Sequence, residues 1–211
     1  MRVIAKDGAI AGLQLVPDEV RPIGGYYTPA LLASIAERYK FTKLPTIQEA
    51  RTSGAVFHDG QYADEHREIY ISQLGIYNDA IAVTTTDTAD SELVLTSLFA
   101  LLQDKFKFRT PTTTPVRKYQ SDLVVEFAND PADKFGLLTP LMEFLERSMG
   151  TKGPVRFGHI AFSSEAGPVP TFLVERRLGV PWSAKRYFCK AHLPTNIHIE
   201  TLELLDKLMA S

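Results

Sequence analysis

The chain has 211 residues, 45% of them hydrophobic and 23% charged, with a formal net charge of −2. This balance excludes a disordered tail, a collagen-like repeat and a disulfide scaffold. A chain of this length can bury roughly 70% of its unfolded surface, so folding requires neither a metal nor a disulfide.

The single cysteine, Cys189, cannot close an internal disulfide, which fits a reducing compartment. Lys6 and Asp7 interrupt any apolar leader at the start. The most apolar window, Leu93 to Leu102, carries Thr96 and Ser97 and is far short of the ~20 residues that cross a bilayer. The expectation is a soluble, cytoplasmic protein with no membrane partner and no cofactor.

In chain order, Arg2–Ile4 and Leu13–Val16 read as strands flanking Asp7-Gly8, a pattern that predicts a hairpin. Gly24-Gly25-Tyr26-Tyr27 leads into Thr28-Pro29, a cap followed by a proline at the first helical position. Tyr27 is expected to staple onto Leu32, and the helix to run to about Tyr39 with Leu32, Ile35, Ala36 and Tyr39 on one face. The polar stretch His58-Asp59 to Asp64-Glu65-His66 reads as a loop between apolar runs. Ile69–Ile71 and Ala80–Val83 are strands flanking a turn at Tyr77-Asn78-Asp79.

Asp87 or Thr88 opens the longest helix, whose Leu95, Leu98, Phe99, Leu102 and Phe106, widened by Leu93, Val94 and Leu101, predict a central, buried rod. Thr110-Pro111-Thr112-Thr113-Thr114-Pro115 disfavours helix and reads as a linker. Leu123–Phe127 is a strand, Asp130–Leu138 a separate helical turn, and Thr139-Pro140 opens a helix to about Ser148 with Gly150 as its stop. Strands over Val155–Phe162, Thr171–Arg177 and Arg186–Cys189 are separated by Gly167-Pro168 and Gly179-Val180-Pro181, and Thr195 caps a terminal helix. Helices follow hairpins and do not alternate with single strands. The class is therefore α+β, a mostly antiparallel sheet of hairpins and a C-terminal meander packed against about four helices.

Residues 1–104 carry 8 Lys and Arg against 14 Asp and Glu, and residues 105–211 carry 15 against 11. The chain reads as one compact domain over 1–211, or as an acidic half (1–108) and a basic half (118–211) joined by the Thr/Pro linker 110–115.

No phosphate loop, dinucleotide fingerprint, nucleophile elbow, zincin helix or Cys-x-x-Cys pair is present. Four constellations remain, the last being Gly24-Gly25 before Thr28-Pro29, which suits amides presented to an anion but is favoured as the entry turn with the Tyr27 staple. His58, Asp59, Asp64 and His66 combine imidazole with carboxylate, the residue types of a divalent-metal site or an acid/base pair, and dress an exposed turn equally well. Cys189, His192 and His198 are residue types that suit zinc, but their spacing matches no standard finger. The third is the Arg176-to-Phe188 hairpin, where Arg176, Arg177, Lys185 and Arg186 interleave with Trp182 and Tyr187. Such a surface suits a protein partner, with single-stranded nucleic acid as the less favoured occupant. Alternation sends Phe172, Val174 and Arg176 one way and Leu173, Glu175 and Arg177 the other. A hairpin with one buried face and wet arginines accounts for the same residues.

The expected function is non-catalytic: a binding or assembly protein, a subunit of a homo-oligomer or multi-protein complex, contacting its partner through this hairpin. The alternatives are a metal-assisted hydrolase built on His58, Asp59, Asp64 and His66, and a small-ligand sensor.

Overall fold

A computed structural model of the chain describes residues 1–25, 28–149, 154–164 and 170–210. The expected staple at Tyr27, the helix stop at Gly150 and the turn at Gly167-Pro168 lie outside the described residues.

The elements in order are β1 (Arg2–Gln14), α1 (Pro17–Val20), α2 (Thr28–Arg38), α3 (Ile47–Thr52), β2 (Ala55–Ala63), β3 (Glu68–Ile76), β4 (Ala80–Thr85), α4 (Thr88–Phe106) and β5 (Val116–Glu126). A 3-10 segment (Pro131–Leu138), α5 (Thr139–Met149), β6 (His159–Ser163), β7 (Pro170–Arg176), a 3-10 turn (Trp182–Ala184), β8 (Arg186–Ala191) and α6 (Thr195–Ala210) complete the chain. The strands form an antiparallel sheet in the order β2-β3-β4-β1-β5-β8-β7-β6, and the fold is α+β. The chain divides into two compact units: Gly8–Ser121 with Leu193–Thr195, and Met1–Asp7 with Asp122–His192 and Asn196–Ser211.

In the first unit, β3 and β4 pair across the turn at Tyr77-Asn78-Asp79, with Ile76 opposite Ile81 and the Tyr77 amide donating to the Ala80 carbonyl. Asp87 caps α4 by accepting the Ala89 amide. Val94, Leu95, Leu98 and Leu102 of α4 are fully buried among Ile35, Phe57, Ile71, Leu74 and Val83. Phe99, Leu101 and Phe106 pack on that core while half-buried, so the helix is covered along a stripe and not all round. Thr110 to Pro115 lies within this unit; the Glu19 carboxylate accepts the Thr113 amide and hydroxyl, and Gln103 donates to Thr110.

Two expectations change here. Arg2–Ile4 and Leu13–Val16 are not two strands of a hairpin, because one strand runs straight through Asp7-Gly8 to Gln14. Gly8 lacks the positive φ that a two-residue hairpin turn demands, and Ala9, Ala11 and Leu13 continue one inward face. His58–His66 is not a loop either: its first six residues belong to β2, paired with β3, and the turn begins at Asp64. The strand is hard to read because its inward positions change phase. Phe57 opposite Leu74 is buried, and beyond Asp59 the buried pairs are Gly60 with Ile71 and Tyr62 with Ile69. Asp59 makes the change with a left-handed φ of 55°, fixed by Lys43 Nζ at 2.8 Å and the Tyr70 hydroxyl at 2.6 Å.

Thr195 also acts differently from a simple cap. Its hydroxyl accepts the Thr88 amide at 3.0 Å, while the Thr88 hydroxyl accepts the Thr195 amide at 2.8 Å, so two buried threonines satisfy each other's orphan donors.

In the second unit, β6, β7 and β8 form the expected meander, with Val174 opposite both Ile160 and Cys189. The terminal helix α6 covers one face: Leu202 and His198 are fully buried, and His198 stands edge-on to Phe172 at 5.7 Å. Asp206 of α6 accepts the amides of Ala128 and Asn129 and pairs with the Met1 amino group.

Candidate functional site

The inward alternation of β7 places Phe172, Val174 and Arg176 on the covered face, and Arg176 is only 7% exposed. The alternative account of the hairpin, with its arginines on the wet face, holds for Arg177 but not for Arg176. What makes burial tolerable is the hairpin around it. Arg176 stands opposite Tyr187 of β8, and its guanidinium lies 5.2 Å from the Tyr187 ring and 4.6 Å from the Trp182 ring. Trp182 is brought there by a tight turn: Gly179 takes a φ of 76°, Pro181 follows, and Lys185 leaves with a left-handed φ of 46°.

One guanidinium nitrogen, Nη2, donates to the Pro181 carbonyl at 2.7 Å. Nε and Nη1 are buried and have no hydrogen-bond partner among the described residues. Leaving such donors unmade costs about 1–3 kcal/mol each, and more for a charged group. Two desolvated cation–π contacts return ~2 kcal/mol or more each. A second cation, Arg156, lies over the same indole at 5.4 Å with its own side chain exposed. Asp130, the partner of the Tyr187 hydroxyl, also accepts the Ala132 amide. Burial, then the hydrogen bond to Asp130, pushes the Tyr187 phenol well above its usual range.

The other hairpin residues have internal partners. Arg177 pairs with Asp7 at 3.4 Å, Lys185 donates to the Ala128 carbonyl at 2.8 Å, and Arg186 donates to Glu126 at 3.2 Å. Glu126 also takes Arg2, and these cations, Arg186 foremost, hold its carboxyl below the usual range. The structure thus gathers Arg176, Trp182 and Tyr187 into one cluster, places Lys185 and Arg186 beside Ala128 and Glu126, and leaves Arg177 on the opposite face. Sequence reasoning missed Arg156 and Asp130, which lie 20 and 46 residues before Arg176 and carry no local signal.

The metal-type residues do not converge. Among the described residues no three His, Cys, Asp or Glu side chains are grouped to hold a metal ion. His58 and His66 are exposed. Asp59 is held by Lys43 and Tyr70, whose hydrogen bonds lower its pKa, and Asp64 serves the amides of His66 and Arg67. Burial raises the Cys189 thiol, His192 is exposed, and His198 is enclosed against Phe172.

A different surface stands out in the same unit. The 11-residue α5 packs mainly on the 3-10 segment before it and contains no buried residue. Leu141, Phe144 and Met149 are 53%, 58% and 66% exposed, and Leu137 just before them is 80% exposed. Residues 137, 141 and 144 recur at helical spacing, so they form one apolar stripe facing solvent.

In the first unit a groove of about 430 Å³ runs between α4 and Thr110–Pro115, with Leu13, Leu95 and Phe99 along it. At its rim Glu92 pairs with Arg117 and accepts the Tyr119 hydroxyl at 2.8 Å. No helix among the described residues is long and apolar enough to cross a membrane. No protein-family model matches this chain, and a search of curated proteins finds none similar to it.

Proposed function

We propose that the protein is a non-catalytic, cytoplasmic binding protein that works as the subunit of an assembly, with a second copy of itself as the partner. The observation that carries this reading is the uncovered apolar stripe of α5. A helix whose apolar side faces water is stabilised by association, because the stripe is then withdrawn from solvent.

The charges of α5 favour a second copy. An antiparallel pairing about a two-fold axis at Leu145 sets Leu141 against Met149 of the second copy. It also sets Glu143 against Arg147 of the second copy, so both ends of the contact carry opposite charges. The hairpin side chains Trp182 and Arg186, both half-buried, extend the contact surface in this reading.

Native mass spectrometry and light scattering over a concentration series test it. The expected result is a homo-oligomer that Phe144→Glu converts to monomer, with the same circular dichroism as the parent. A monomer at about 100 µM, a concentration that populates even weak dimers, refutes the reading. An oligomer untouched by Phe144→Glu refutes the assigned surface, and Trp182→Ala with Arg186→Ala then reports on the hairpin. A small-ligand reading is favoured by one observation, the groove along Leu13, Leu95 and Phe99, whose volume falls in the range of ligand pockets.

A further inference from the structure

We infer that Arg176, Arg156 and Trp182 form a receptor for an oxyanion, a phosphate or carboxylate group, that enters beneath the Trp182 indole. The inference does not depend on α5, and of the contact residues proposed above it shares only Trp182.

Three facts carry it. Arg176 is more than nine-tenths buried, and its Nε and Nη1 donors are unpartnered among the described residues. The bond from Nη2 to the Pro181 carbonyl fixes the guanidinium, and its other polar neighbour is the Tyr187 hydroxyl. Arg156 shares the indole and adds charge of the same sign, while the Asp130 carboxylate is engaged by Tyr187. A planar cation held by two rings, with open donors and a second cation alongside, is organised for the flat, multiply accepting edge of an oxyanion.

The entry path follows from the same contacts. Trp182 is only half-buried and sits on a three-residue turn, and among the described residues no ion pair or hydrogen bond holds the exposed Arg156 over the ring. Rotating the indole opens the guanidinium and lets Arg156 close on the bound anion. The exchange replaces a ring contact by charge-assisted hydrogen bonds.

Trp182 is the only tryptophan in the chain, so fluorescence excited selectively at tryptophan reads this site alone. The full chain is titrated with inorganic phosphate and, separately, with glutarate, against sodium chloride at matched ionic strength. The expected result is a saturable change in emission with one or both oxyanions at about millimolar concentration or below, and none with chloride. The tighter of the two names the group that the natural ligand carries.

Arg156→Ala, an exposed change, is expected to weaken binding about tenfold, by loss of one charge-assisted partner. Arg176→Lys keeps the charge but loses the fork, and is expected to lose the saturable response. Should Arg176→Lys fail to fold, Arg156→Ala decides the matter, because it touches only the rim. No saturable change up to about 50 mM of either oxyanion, an equal change with chloride, or unaltered binding in Arg156→Ala overturns the inference.

Discussion

Gly60→Ala tests the claim that the His58-to-His66 stretch is built to turn a strand. A Cβ on Gly60 would stand 2.3, 2.4 and 2.9 Å from three atoms of the Phe41 ring. Carbon atoms rest at roughly 3.5–4.0 Å, so the ring would have to retreat by about 1 Å or more. It has little room, since its centroid lies 5.2 Å from that of Phe57 and 6.1 Å from that of Tyr39 in a closed aromatic cluster. Overpacking of this kind costs about 1–3 kcal/mol.

A second effect opposes it. Gly60 does not have a positive φ, so alanine fits the backbone and reduces the entropy of the unfolded chain, a gain of about 0.4–1 kcal/mol. Strain wins, leaving a net loss of about 1.3 kcal/mol, or roughly 3–5 °C in melting temperature for a chain of this size. Urea denaturation should show a lower midpoint at unchanged slope. Adding Phe41→Leu should recover at least about 1 kcal/mol relative to the sum of the single changes, because the two positions share one space. Gly8→Ala, where a Cβ meets nothing within 4 Å, serves as the control and is expected to be neutral or slightly stabilising. A Gly60→Ala variant as stable as Gly8→Ala would refute the reasoning.

Thr195→Val removes the acceptor of the buried Thr88 amide and is expected to cost about 1–3 kcal/mol, with Thr195→Ser close to the parent in thermal melts; equal loss from both would show that the methyl group matters and the hydroxyl does not. Asp59 has its pKa lowered by Lys43 and Tyr70. It therefore contributes stability above its unfolded pKa, near 4, and that contribution is lost as pH falls through its depressed value in the fold. Melting temperature measured from pH 6 to pH 2 should fall less steeply in Asp59→Asn, and an unchanged slope would dismiss the ion pair. Burial and Asp130 raise Tyr187, so its phenol should still be protonated in the fold after exposed tyrosines have ionised. Stability from this group is complete below the unfolded pKa, about 10, and is lost as pH rises toward the folded one. Ultraviolet titration of Tyr187→Phe should lack the last-ionising tyrosine. Cys189, fully buried with a raised thiol, should react with a disulfide reagent only at the rate of unfolding.

Much of the architecture was legible because its signals are local. Thr28-Pro29, Asp130-Pro131 and Thr139-Pro140 mark helix starts through the donors they satisfy or lack. Tyr77-Asn78-Asp79 marks the β3–β4 turn, and close spacing marks the meander of β6 to β8. The capping box of α3, where Thr46 and Glu49 bond reciprocally, is an equally local signal. The strand β2 was not legible: its period breaks at Asp59, and only the matching break on β3, with Leu74 and Ile71 facing Phe57 and Gly60, shows that one pleat turns over. The same applies to β1, since Asp7-Gly8 permits a turn but pairing with β4 keeps the strand straight.

By itself, the order of residues determined the class of fold, most helix starts, and the face that Arg176 shares with Phe172 and Val174. Tertiary structure alone decided that this face is dry, that Trp182 lies against its guanidinium with Arg156 over the same ring, and that the apolar stripe of α5 stays wet. Alternation and periodicity state which side chains lie together, a property of backbone geometry over a few residues. Whether water reaches them depends on segments distant in sequence, and no local pattern encodes that.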